Sequence, residues 1–114
     1  MPNNGFNTRK GEFVEITAAG TDGITATPIP SLADLTTALV SYDAGENGVR
    51  LPEGSVGDVV EIVAVNAGNA GPYVQVFHPD QGTYLGILNG GVAAYRRMPD
   101  SVGSISWMRI YEIQ

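Results

Sequence analysis

The run Asp58-Val-Val-Glu-Ile-Val-Ala-Val65 constrains this chain more than any other segment. β-Branched residues lose rotamer freedom in a helix and fit the pleated surface of a sheet, so a run this dense in Val and Ile predicts a strand. Successive side chains of a strand point to opposite faces. Val60, Ile62 and Ala64 therefore share one face, while Val59, Val63 and Val65 share the other with Glu61. Apolar residues on both faces predict a strand covered on both sides. That is more buried surface than one small sandwich needs, and it points to association with further protein.

The rest of the chain has the same grammar: short apolar segments separated by Gly, Asn, Asp and Pro, as in all-β structure. Phe13-Val-Glu-Ile-Thr17 is rich in strand formers. Ile24 to Ile29 is a second candidate, restricted to a sheet edge because Pro28 has no N–H for a ladder. Ser31 to Asp34 reads as a turn and residues 35–42 as a strand, since Thr36, Thr37 and Val40 disfavour the competing helix. Tyr73 to Phe77 alternates Val74 and Val76 against Tyr73, Gln75 and Phe77. From Ser104 to Gln114, alternation places Ile105, Trp107, Tyr111 and Ile113 on one face, with Trp107 in the core. Asp22-Gly23, Asn47-Gly48, Gly68 to Gly71, Asp80 to Gly82 and Asn89 to Gly91 supply turn residues. No internal repeat stands out. The expected architecture is a single all-β domain at residues 12–114, an antiparallel β-sandwich or jelly-roll-like fold, preceded by a short flexible arm at residues 1–11.

A chain of 114 residues can build one core without covalent staples, and with no cysteine it has neither disulfides nor thiolate metal sites. The start lacks the basic and apolar regions of a signal peptide, and no stretch reaches the ~18 apolar residues of a membrane span. Twelve acidic against six basic residues give a net charge of −6, which argues against nucleic acid as a partner. Membrane is not an expected partner either. Only 16% of residues are charged, so part of the surface is expected to be covered by subunit contacts.

Catalytic chemistry finds no foothold. His78, in Val-Phe-His-Pro at a strand end, lacks a nucleophile-and-acid context in the sequence and reads as a structural histidine. Asp43-Ala-Gly-Glu46-Asn-Gly48 echoes a calcium loop, but Gly54 stands where the bidentate Glu belongs. The Gly68 to Gly71 turn precedes a strand, whereas phosphate loops open helices. Tyr42, Tyr73, Tyr84, Tyr95, Tyr111 and Trp107 could stack on sugars, yet such aromatics in a β domain serve more often as core or interface. The expectation is no enzyme, no metal and no cofactor.

Gly48-Val-Arg-Leu-Pro-Glu-Gly-Ser-Val-Gly57-Asp-Val-Val-Glu-Ile62 is the most specific motif. It resembles a pattern of bacteriophage virion proteins: a "GVxLP" opening, a small loop, then "GDxVxI" leading into a strand. Asn66 to Gly71 matches the loop that follows, Val74 to Pro79 the apolar strand ending in an aromatic and Pro, Gly82 to Gly91 a turn region, and Trp107 a tryptophan of the terminal strand. The resemblance spans about residues 48–107. The motif residues themselves read as scaffold. Pro52 stops strand pairing, Gly54 and Gly57 permit sharp turns, Asp58 accepts a local N–H, and Leu51 enters the core.

The resemblance implies a capsid decoration (cement) protein on the outer surface of a bacteriophage virion, made in the bacterial cytoplasm. Its partners would be the major capsid protein and, as a homotrimer, its own copies. The alternative it implies is a tail- or head-fibre adhesion domain that binds host-surface carbohydrate. In the arm, Phe6, Arg9 and Lys10 are the candidate capsid contacts: one large apolar group and two of the six basic residues.

Overall fold

The computed structural model describes residues 11–43, 45–66, 73–79, 84–88, 91–99 and 106–113, of which Asn66 and 84–88 are described by their backbone. These residues form nine strands: β1 (Glu12–Thr17), β2 (Thr27–Pro28), β3 (Leu35–Tyr42), β4 (Gly48–Arg50), β5 (Val59–Asn66), β6 (Val74–Phe77), β7 (Tyr84–Leu88), β8 (Gly91–Arg97) and β9 (Trp107–Ile113). The described residues include no helix, so the chain is all-β. A five-stranded sheet has the order β1-β3-β5-β8-β9, and a four-stranded sheet has the order β2-β4-β6-β7. The turn at 31–34 and the strand at 35–42 fall where the sequence put them. Pro28 occupies an edge strand, as its missing N–H requires.

The expected antiparallel arrangement is corrected. The first six strands alternate between the two sheets, and each lands parallel to the strand before last. Thus β1, β3 and β5 run parallel in one sheet, and β2, β4 and β6 run parallel in the other. Only the later pairs, β6 with β7, β5 with β8 and β8 with β9, are antiparallel. The physical reason is that each connection crosses between sheets instead of folding back within one. Two crossings restore the original direction, and Gly-rich links serve a crossing as readily as a hairpin.

This coiling creates a structural repeat that sequence reading missed. Glu12 pairs with Thr36, Leu35 with Val59, and Thr37 with Glu61, a step of 24 residues each time. Val14, Ala38 and Ile62 stack at one level and Ile16, Val40 and Ala64 at another. The repeat keeps backbone geometry but not residue identity or, outside the inner-face positions, polarity: Phe13, Thr37 and Glu61 are equivalent, as are Glu15, Leu39 and Val63. Its corners are stitched by backbone bonds from Ala18 N–H to Ser41 O (2.8 Å), Ala19 N–H to Gly48 O (3.0 Å) and Asn47 N–H to Gly20 O (2.9 Å).

One core lies between the sheets. Val40, Ile62, Ala93, Tyr95 and Trp107 of the five-stranded sheet meet Val49, Val74 and Val76 of the other, with Ile29 and Leu51 from the connections. Each large apolar side chain buried here contributes about 1.5–3 kcal/mol relative to leaving it exposed.

Two further expectations change. The stretch Gly82 to Gly91, read as a turn region, carries strand β7 at Tyr84–Leu88. In β9, Trp107 is in the core, but Tyr111 and Ile113 are exposed. The cause is a bulge: Tyr95 pairs with Arg109 and Ala94 with Tyr111, so Ile110 is an extra residue. One inserted residue reverses the facing of everything after it.

Candidate functional site

The motif residues converge on one structural feature. Leaving β4, the chain runs over the indole of Trp107, whose Nε1–H donates to the Pro52 carbonyl at 2.9 Å. Leu51 is buried, and its N–H bonds the Phe77 carbonyl at 2.9 Å. Gly54 has φ +63°, and a Cβ built there would lie 2.9 Å from Trp107 Cζ2. Gly57 has φ +95° with open space around it. Asp58 closes the loop by accepting the Ser55 N–H at 2.8 Å, and its own N–H donates to the Ser55 carbonyl at 2.9 Å. Arg97 ties the loop to β8, with Nε donating to the Glu53 carbonyl at 2.8 Å. Leu51, Pro52, Gly54 and Trp107 therefore meet at one end of the core, and Gly57 and Asp58 shape the loop that returns from it. Phe6, Arg9 and Lys10 lie outside the described residues.

The surface with chemistry to offer is the outer face of the five-stranded sheet. Register places Phe13, Thr37, Glu61, Ala94 and Tyr111 in one row across all five strands. The next row is Glu15, Leu39, Val63, Val92 and Ile113. On the other side of the first row lie Leu35, Val59, Arg96 and Met108. Phe13 is 72% exposed and Ile113 64%, while Val65, Met108, Ile110 and Tyr111 are each 41–43% exposed.

One polar cluster interrupts this face. Glu61 accepts from the Thr37 hydroxyl at 3.2 Å and, through its other oxygen, from the Tyr111 hydroxyl. Ala94, between Glu61 and Tyr111 in the row, is fully buried. The bond to the Glu61 carboxylate holds the Tyr111 phenol above its ordinary range, with burial and the Glu61 charge acting in the same direction. Asp34, Leu35, Val59, Glu61, Arg96, Ile110 and Tyr111 line a groove of about 350 Å³ on this face. Gly11 lies close against Leu35, one of these lining residues.

A second groove, of about 270 Å³, opens where β1 and β3 end, lined by Thr17, Ala18, Ser41, Tyr42, Asp43 and Glu46. Asp43 and Glu46 exchange backbone bonds of 3.0 Å, and a Glu46 carboxylate oxygen accepts the Gly20 N–H at 3.0 Å. Among the described residues, no group of three or more His, Cys, Asp or Glu is placed to hold a metal ion. His78 is buried with Nδ1 3.2 Å from the Ser106 hydroxyl. Asp22 accepts the Thr25 N–H at 2.8 Å, the Thr25 hydroxyl and the Ile24 N–H, and these bonds hold its carboxyl below the ordinary carboxylate pKa.

Sequence reading saw both faces of β5 and expected both to be covered, but it could not extend the outer face across the neighbouring strands. Its signal was present in Val59, Val63 and Val65. What was missing was the parallel register that sets Leu35 and Leu39 beside them and the bulge that adds Tyr111 and Ile113.

No protein-family model matches the chain, and no curated protein matches it. A solved fragment (residues 132–251) of StcE from enterohemorrhagic E. coli is similar, with 21% identity and a TM-score of 0.36. The match covers 68% of this chain and 64% of that fragment, a likeness too slight to carry an argument about fold or activity.

Proposed function

We propose that this chain is a non-catalytic structural protein of a bacteriophage virion, a decoration protein that docks on the outer surface of the capsid and reinforces it. The observation that carries this reading is the outer face of the five-stranded sheet, where apolar side chains from all five strands reach solvent. A face of this kind on a small domain marks a protein–protein contact. The sequence resemblance at residues 48–107 supplies the capsid, and the two-sheet body is read as a β-sandwich built by coiling. Three copies form a unit that presents three arms, with Phe6, Arg9 and Lys10 as shell contacts. Multivalent attachment then raises avidity without new contacts.

The test is to count copies of the protein in purified virions by quantitative mass spectrometry and to titrate it onto undecorated capsids. Tens to hundreds of copies per particle, with saturable binding, support decoration. A few copies per particle would place it in the tail. A deletion of residues 1–10 that binds capsids as well as the full chain would remove the arm from the contact. The fibre-adhesin reading draws on the groove, where Tyr111 stands near Asp34 and Arg96, a combination suited to sugars. Binding to a glycan array, lost in Tyr111→Ala, would favour it.

A further inference from the structure

We infer that the outer face of the five-stranded sheet is covered by a second copy of this same chain. The inference rests on the self-association proposed above and goes beyond it, because a face that meets its own copy makes a two-fold pair, a contact additional to any threefold one. Its first ground is composition: the row Leu39, Val63, Val92 and Ile113 is apolar from β3 to β9. Interfaces between like subunits are more apolar than those between partners that come and go.

The second ground is charge. The chain carries a net −6, so most ways of pressing two copies together bring like charges into contact. This face carries few charges. Across its three rows the charged residues are Glu15, Glu61 and Arg96, and Glu61 is already held by Thr37 and Tyr111. Copies meeting here keep most of their negative charge apart.

The third ground is area. Five strands about 4.8 Å apart, rising about 3.3 Å per residue, span roughly 20 by 25 Å, or roughly 500 Å² in projection. Two such faces together bury roughly 1,000 Å², the threshold for a specific interface. Sheets stack face to face about 10 Å apart, a spacing that side chains of this size fill.

The experiment uses the full-length chain with Val63→Lys and Ile113→Lys. Val63 sits mid-sheet, whereas Ile113 is 64% exposed on an edge strand, so the second variant is safe for the fold. Circular dichroism checks folding, and sedimentation reads mass at micromolar concentration. The expected result is a wild type at a multiple of 12.0 kDa and variants with the same β spectrum that associate at least tenfold more weakly. A monomeric wild type overturns the inference, as does assembly that survives both substitutions. If deleting residues 1–10 is what first allows assembly, the arm and not a second copy occupies the face, and the inference fails. Capsid binding is measured separately on the same samples: assembly without capsid binding sinks the decoration reading and leaves this one standing.

Discussion

On the inner face of the five-stranded sheet, Val40, Ile62 and Trp107 are fully buried, whereas on the outer face Phe13, Val65 and Ile113 stand in solvent. The residue types are alike, and on β5 the two sets alternate along a single strand. The inner face is covered because the chain returns to it after every crossing, laying down β2, β4 and β6 as a second sheet. The outer face has no such layer among the described residues. The comparison teaches that hydrophobic side chains record the need for cover, while topology decides whether the chain itself supplies it.

The largest effect is expected at the sealed end of the inner face. Trp107→Ala should destabilise the protein by about 3–5 kcal/mol, because it opens a cavity and strips the Pro52 carbonyl of its donor. Urea unfolding measures this, and a loss below about 1.5 kcal/mol would mean that the indole is not a keystone.

Neighbouring residues on β5 sharpen the contrast. Ile62→Ala should cost about 2–5 kcal/mol at any protein concentration. Val63→Ala, facing out, should cost under about 1 kcal/mol in the dissociated protein and more when copies associate. Equal costs in dilute solution would erase the distinction between the faces.

The two loop glycines form a finer pair. Gly57→Ala carries only the backbone cost of a positive φ, about 1–2 kcal/mol. Gly54→Ala adds a close approach to the Trp107 ring and should exceed it by about 1–3 kcal/mol. Equal losses would show that the ring moves freely.

The smallest effect concerns pH. The Tyr111 phenol has its folded pKa raised above 10.0, so the folded state holds its proton more tightly than the unfolded state. The stability from its bond to Glu61 is fully present below about pH 10 and is lost as pH rises through the folded value. Tyr111→Phe should flatten that part of the stability–pH curve. An unchanged slope would mean that the bond contributes nothing on this exposed face.

Local sequence was enough to mark strands at β1, β2, β3, β5, β6 and β9, though not at β4, β7 or β8, and to show that β5 is apolar on both sides and that Trp107 is a core residue. These properties follow from local chemistry: β-branching, the two-residue period of a strand, the missing N–H of proline and the positive φ open to glycine. Tertiary structure alone decided that β1, β3 and β5 run parallel, that a 24-residue coil underlies chemically unlike segments, and that a bulge at Ile110 turns Tyr111 and Ile113 outward. The physical reason is that side-chain period reports only which residues share a face of their own strand. Which strand lies alongside, in which direction and in what register, depends on where intervening segments are laid, and one extra residue in a ladder reverses every face beyond it.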